Sequence, residues 1–378
     1  MKILICSVTA GEGHNSTAKA IRGAFTDLGA ESYILDTYKY VAPMVGKLIA
    51  DGYLFVSDKA SKVFSAGYSM AERRRGGTGE LSMARIFNSQ YTDEMGEFIA
   101  DYRPDAIMFT HPFAGLILDV LKQRGELTVP TVGILTDFHF HPYWEECRLC
   151  DYVVTPHSSL LYQARNKGFS DTAVLPFGIP VNGKFANSIP KAEARESAGL
   201  DPKMKAVLIM GGSMGHGNMA ATVKHLDRMY SPEEFQMICV NGNNEENFEK
   251  VAKYCRKKAR RHIMNLGFAN NVDVLMDAAD MIITKPGGLT TSEALAKRLP
   301  MIIANPIPGL ETRNTAFLQN QGTAMAVTKS TPLEELVFSL MGEAGQAKAD
   351  AMRSCIDVLR KPDSARDVCR FVLGICKQ

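Results

Sequence analysis

Three times along this chain an apolar, strand-like run empties into a glycine-rich turn and then into a helical pattern. The first is Lys2-Ile3-Leu4-Ile5-Cys6-Ser7-Val8 followed by Thr9-Ala10-Gly11-Glu12-Gly13-His14. The second is Ala206-Val207-Leu208-Ile209-Met210 followed by Gly211-Gly212-Ser213-Met214-Gly215-His216-Gly217. The third is Met281-Ile282-Ile283 followed by Thr284-Lys285-Pro286-Gly287-Gly288-Leu289-Thr290-Thr291-Ser292-Glu293-Ala294-Leu295. Strand, glycine turn and helix form the unit from which doubly wound parallel sheets are built. Glycine lets a ligand approach the backbone, and the unpaired N–H groups and partial positive charge of the next helix end favour a phosphate. Glu293, one turn into the third helix, is placed to accept hydrogen bonds from ribose hydroxyls. Diphosphate plus ribose means a nucleotide.

At 378 residues the chain exceeds the usual size of one core, so two domains are expected. Strands over 2–8, 31–36, 105–109, 130–136 and 151–155 alternate with helices over 15–28, 90–101 and 113–123. The turn-rich Pro176-Phe177-Gly178-Ile179-Pro180 then sets a boundary between domains 1–178 and 179–354. The second half reads as strands over 206–210, 235–240, 262–265, 281–284 and 301–303, with helices over 218–229, 245–257, 271–278 and 289–296. The tail, 348–378, reads as helical. Hydrophobic residues make up 46% and charged residues 22%, an ordinary globular balance, and a net charge of +2 argues against a nucleic-acid partner. Residues 1–178 carry 17 Lys+Arg against 20 Asp+Glu, so any attraction to an anionic membrane must come from local patches. No apolar run approaches the ~20 residues that span a bilayer. Eight cysteines without framework spacing suggest reduced thiols and a cytosolic setting.

The N-terminal Gly11-x-Gly13-His14, the Thr136-Asp137-Phe138 segment with His141 and Trp144 after it, and the Thr284-Lys285-Pro286-Gly287-Gly288 segment with Glu293-Ala294 occur together, in this order, in one family. Through them the chain resembles the processive diacylglycerol glycosyltransferases and plant monogalactosyldiacylglycerol synthases. These are relatives of the enzyme that adds N-acetylglucosamine to the peptidoglycan lipid precursor. The resemblance runs from the first strand to about Gly322. It implies the GT-B type fold, two Rossmann-like doubly wound domains facing across a cleft, with the C-terminal helix 355–378 packing back on the first domain. It implies transfer of a hexose from a UDP-sugar to diacylglycerol, by an enzyme peripheral to the cytosolic face of the cell membrane.

Such a transfer needs a stabilised leaving diphosphate, a base for the acceptor hydroxyl and an oriented sugar. The helix start at Gly287-Gly288-Leu289-Thr290 suits the first task, with Gly211-Gly212-Ser213 facing it and Gly13 also expected at the donor. No Asp-x-Asp pair is present to hold a divalent ion, which fits an enzyme without metal or other cofactor. His14 lies on a glycine-flanked turn at a helix start and titrates near neutrality, so it is the candidate base, a position the family's proposed base matches. Asp137 should end a strand beside that loop and orient the base or the acceptor hydroxyl; equally, it could be a turn-forming aspartate. The resemblance further implies that Leu266-Gly267-Phe268-Ala269 frames the uracil. It also implies that the loop Pro308-Gly309-Leu310-Glu311-Thr312-Arg313-Asn314 reads the sugar, with Glu311 and Asn314 at the donor. Leu310 stands where the family usually has Gln, which leaves the sugar open.

Apolar residues at 41, 44, 45, 48, 49, 52/53 and 56 make one helical stripe, and Arg73-Arg74-Arg75 follows. An amphipathic helix beside a basic cluster suits a membrane surface, though a core helix with a solvated loop has the same pattern. The lipid acceptor implied by the resemblance favours the membrane, with Val45, Leu48, Ile49, Arg73, Arg74 and Arg75 as contacts.

Four rival readings compete. His139-x-His141 with Cys147-x-x-Cys150 has the residue types of a zinc site. Gly11-x-Gly13 with Asp36 mimics a dinucleotide fingerprint, but Ser16 holds the third glycine position. Sugar-nucleotide epimerases, and N-acetylglucosamine transfer to a polyprenyl-linked acceptor, use the same architecture.

Overall fold

Long apolar runs bounded by turns become parallel strands when helices cover both faces of a sheet, and this chain builds two such sheets. The computed structural model describes residues 1–9, 12–44, 89–307, 311–342 and 345–377. Val45, Leu48, Ile49, Arg73, Arg74, Arg75, Gly11 and Leu310 lie outside the described residues.

The chain divides into two compact units. The first holds 1–183, 308–310 and 363–378, and the second holds 184–307 and 311–362. Unit one contains β1 (Lys2–Ser7), β2 (Glu31–Asp36), β3 (Ala106–Phe109), β4 (Thr131–Ile134), β5 (Tyr152–Val154) and β6 (Val174–Leu175). They lie all parallel in the order β2-β1-β3-β4-β5-β6. Its described helices include α1 (Glu12–Asp27), α2 (Thr37–Val41), α3 (Thr92–Tyr102), α4 (Pro112–Gln123) and α5 (Leu161–Asn166).

Unit two contains β7 (Ala206–Met210), β8 (Gln236–Val240), β9 (Ile263–Leu266), β10 (Met281–Thr284), β11 (Met301–Ile303) and β12 (Ala324–Ala326). Their order is β12-β11-β10-β7-β8-β9, again all parallel. Counted within the unit this is 3-2-1-4-5-6, the order of dinucleotide-binding folds. Its helices are α6 (Lys191–Ser197), α7 (Met219–Met229), α8 (Glu245–Lys258), α9 (Val272–Ala278), α10 (Gly288–Ala296), α11 (Thr312–Asn320), α12 (Leu333–Met341) and α13 (Gly345–Leu359).

Strand order locates the sites. In such sheets a ligand binds beyond the carboxyl ends of the strands, where the winding reverses. In unit one that point lies between β1 and β3, where Cys6 pairs with Phe109. In unit two it lies between β7 and β10, where Met210 pairs with Thr284.

The tail differs from the expected continuous helix. Pro362 cannot continue a helix, and the chain breaks into α13 and α14 (Ser364–Ile375). The apolar face of α14 enters the core of unit one, where Val368, Cys369 and Val372 are fully buried with Ile3, Ile5, Ala18, Ile21 and Phe25. Phe371 packs edge-on against Tyr152, ring centroids 4.8 Å apart. α13 lies within unit two, so only the last piece of the tail belongs with the first sheet. The short α6, α11 and α12 and the strands β6 and β12 had no counterpart in the sequence reading.

Candidate active site

In unit one the turn after β1 places His14 in the first turn of α1. Its Nδ1 lies 2.6 Å from the carbonyl oxygen of Thr110, the residue after β3. A carbonyl only accepts, so Nδ1 carries the proton and the lone pair sits on Nε2. Thr136 Oγ1 lies 3.3 Å from the same Nδ1. Burial lowers the His14 pKa, which Asp137 and the Thr110 carbonyl partly oppose, so the ring is held neutral with its lone pair available. The structure therefore brings together both residues expected to be catalytic.

A chain of hydrogen bonds stiffens this corner. Thr110 Oγ1 donates to Ser7 Oγ (3.3 Å) and Ser7 Oγ donates to Asn15 Oδ1 (2.7 Å). Asn15 Nδ2 then donates to Thr9 Oγ1 (3.0 Å), which donates to Asp36 (2.5 Å). Asp36 also caps α2 by accepting the Lys39 N–H. Asp36 thus has local partners that account for it without a nicotinamide cofactor. Gly13 leaves open space where a Cβ would stand, so packing does not demand a glycine there.

Two further histidines border the site. His111 caps α4, its Nδ1 accepting the Phe113 N–H at 3.1 Å, and its ring meets that of His14 edge-on at 4.7 Å. His141 caps the short 3-10 turn Pro142–Glu146. Burial, with His139 beside it, pushes the His141 pKa down to about 4. The two thiols of the zinc reading are turned to backbone carbonyls. Cys147 donates to the Pro112 carbonyl, and Cys150 to the carbonyls of Thr131 and Tyr152. Burial pushes the Cys150 thiol up to about 12. Among the described residues no group of three or more His, Cys, Asp or Glu could hold a metal ion. Trp144 is a core residue, stacked on Phe109 at 5.6 Å, and Gly133 is small because a Cβ would come within 2.7 Å of both rings.

In unit two both glycine turns stand at the switch point. Gly212 (φ +74°) and Gly215 (φ +61°) take left-handed backbone, and a Cβ on Gly215 would sit 1.9 Å from the Asn241 carbonyl. The Ser213 carbonyl accepts the Asn243 N–H at 2.8 Å, which fixes the loop to the end of β8. Opposite, Gly287 is the N-cap of α10 with no side chain closing it, so the N–H groups of Gly288, Leu289 and Thr290 lack intrahelical acceptors.

Lys285 was not among the expected site residues, yet it stands between the turns. A Cβ on Gly212 or on Gly287 would lie 3.4 Å from its Cε or Nζ respectively. The Lys285 Nζ pairs with Glu311 at 2.7 Å, and the other Glu311 oxygen accepts the Ile307 N–H at 3.0 Å. Glu311, only 3% exposed, is thus turned toward Lys285. Asn314 is fully buried and donates to the Pro286 carbonyl at 3.0 Å. This bond ties the start of α11 to the third glycine turn. Glu293 is half-buried and its carboxyl has no hydrogen-bond partner among the described residues. Burial pushes its pKa up to about 8, against the attraction of Lys184. Phe268, after β9, leaves 60% of its surface exposed, a free face for stacking.

Comparison with known proteins follows the same two units. Residues 14–181 match the family described as monogalactosyldiacylglycerol (MGDG) synthase. Residues 206–363 match the glycosyltransferase family 28 C-terminal domain. Both units of the chain are thus similar to glycosyltransferase domains. A processive diacylglycerol beta-glucosyltransferase of Bacillus subtilis is 26% identical over 346 residues, covering 90% of this chain and 87% of the relative. Monogalactosyldiacylglycerol synthase 1 of Arabidopsis thaliana is 26% identical over 91% of this chain and 66% of its own length. The crystal structure of Acinetobacter baumannii MurG superposes with a TM-score of 0.67 at 16% identity, covering 99% of each chain. A UDP-GlcNAc 2-epimerase from Neisseria meningitidis superposes at 0.62 and 12% identity, covering 99% of this chain and 100% of the other. At these identities the structural matches speak for the fold, that of GT-B glycosyltransferases.

Proposed function

We propose that this protein transfers a hexose from a UDP-sugar to the free hydroxyl of diacylglycerol, with inversion at the sugar carbon. The observation that carries the proposal is the 2.6 Å contact of His14 Nδ1 with the Thr110 carbonyl, which commits the ring proton to Nδ1 and leaves Nε2 as a base. In one displacement the acceptor O–H gives its proton to that Nε2. The alcohol oxygen bonds to the anomeric carbon as the carbon–oxygen bond to the diphosphate breaks, and UDP leaves with the electron pair. Asp137 steadies the imidazolium that forms. The N-terminus of α10 and Lys285 balance the charge of the leaving diphosphate, Glu293 accepts the ribose hydroxyls and Phe268 stacks on uracil. No metal is called for in this scheme, so transfer should persist in a chelator.

Diacylglycerol as acceptor rests on the relatives named above, which carry that lipid or its galactoside in their names. A lipid acceptor requires contact with a membrane surface. No helix among the described residues is long and apolar enough to cross one; we propose a peripheral enzyme on the cytosolic face.

Transfer from labelled UDP-glucose, UDP-galactose and UDP-N-acetylglucosamine to diacylglycerol in mixed micelles tests the proposal. One donor should yield a glycolipid. No glycolipid from any donor would overturn it and leave the polyprenyl-linked acceptor or an acceptor-free epimerisation to be tried in the same mixture.

A further inference from the structure

His14 does not stand alone at the switch point of unit one. His111 follows β3, the strand paired with β1, so both imidazoles rise from the two strands between which the winding reverses. Their centroids are 4.7 Å apart with the ring planes at 69°. Each Nδ1 is committed, in opposite senses. His14 Nδ1 donates to the Thr110 carbonyl, whereas His111 Nδ1 accepts the Phe113 N–H. A neutral imidazole carries one proton, so His14 presents a bare Nε2 and His111 presents Nε2–H. Neither Nε2 has a hydrogen-bond partner among the described residues. Burial and the neighbouring rings of His14 and His141 hold the His111 pKa well below its ordinary value, so it stays neutral, and its lone pair on Nδ1 is already taken by the Phe113 N–H, so it offers no second base.

An acceptor and a donor side by side fit a group that donates and accepts through one atom. We propose that His111 binds the acceptor alcohol, its Nε2–H donating to the hydroxyl oxygen while that hydroxyl points its own proton at His14 Nε2. This rests on the reading of His14 as the base. An alcohol oxygen has two lone pairs. His111 takes one and fixes the O–H direction, and the second forms the bond to the anomeric carbon as the diphosphate departs. The pair thereby selects a hydroxyl acceptor over a thiol, whose sulfur is a weak hydrogen-bond acceptor.

Two substitutions separate this role from the capping of α4. His111→Asn keeps an N-cap acceptor and loses Nε2–H. His111→Gln loses the cap but reaches out with an amide N–H near the Nε2 position. Wild type, both variants and His14→Ala would be compared for transfer to diacylglycerol, for the KM of the UDP-sugar and for Tm. His111→Asn should melt near wild type yet lose about tenfold to a hundredfold in rate, the worth of one such hydrogen bond. His111→Gln should melt lower and transfer faster than His111→Asn, and the UDP-sugar KM should be unchanged in both. A His111→Asn enzyme at the wild-type rate, or activities that follow Tm, would overturn the assignment while leaving His14 as base. An inactive wild type or an active His14→Ala would remove the base reading and this inference with it. Histidine 15N spectra of the wild type give a check without substrate. They should show Nδ1–H for His14 and Nε2–H for His111, and the same tautomer in both would contradict the proposal.

Discussion

Glu293 has its carboxyl half out of water with no hydrogen-bond partner among the described residues, and its pKa rises from 4.5 to about 8. The unfolded chain gives up that proton near 4.5 and the folded chain near 8. This contribution to stability is complete below pH 4.5 and is lost as pH rises to about 8. Glu293→Gln should remove that decline, so its Tm should exceed wild type by more at pH 8 than at pH 5; equal differences would show that the carboxyl titrates normally. Glu293→Ala should weaken UDP-sugar binding about tenfold to a hundredfold, read by calorimetry, since buried ribose hydroxyls would lose their acceptor. The histidines behave in the opposite sense. His14, His111 and His141 stay neutral in the folded state below their ordinary 6.5. The unfolded chain binds protons there first, so unit one should lose stability as pH falls below 6.5, down to about 4 for His141. For the same reason the acid limb of kcat/KM should lie below 6.5. A limb above 6.5 would mean that His14 is not the group titrating.

Two loops at the end of the second sheet carry the donor reading, and backbone geometry decides what they tolerate. Gly215→Ala would drive a methyl into the Asn241 carbonyl, so it should abolish UDP-sugar binding or folding of unit two. Gly13→Ala meets empty space and should leave Tm unchanged. If circular dichroism melts place the two in the reverse order, the loop conformation described here is wrong. The strands that aim these loops were legible in the sequence because buried parallel strands read as continuous apolar runs. The two-residue β6 and three-residue β12 were not, since so short a run has no period to detect. His14, Gly212, Gly287 and Glu293 were legible because local turn chemistry marks them. Lys285 was overlooked although it sits inside the third motif, since its partner Glu311 is 26 positions away. His111 was overlooked because its meaning depends on β3 lying beside β1. A histidine before a proline at a strand's carboxyl end was the available signal.

At the scale of the chain, each unit has a core of its own, and each has a vulnerable point remote from the chemistry. In unit two Arg261 and Asp227 form a fully buried ion pair at 3.0 Å, with Tyr254 and the Arg260 N–H also donating to Asp227. Asp227→Ala would strand the guanidinium and should cost about 3–5 kcal/mol in denaturant unfolding. A loss under 1 kcal/mol would show that water reaches the pair. In unit one the last helix completes the core, and the break at Pro362 that frees it was visible as a proline while the assignment of α13 to the other unit was not. These cores set His14 at one switch point and the two glycine turns, with Lys285 between them, at the other. The measurement that bears most directly on this account is transfer of labelled hexose from the three UDP-sugars to diacylglycerol by wild type and His14→Ala, in mixed micelles with chelator. The account predicts a glycolipid from one donor with wild type, none with His14→Ala, and unchanged UDP binding in the variant. Glycolipid formed at the wild-type rate by His14→Ala would contradict it.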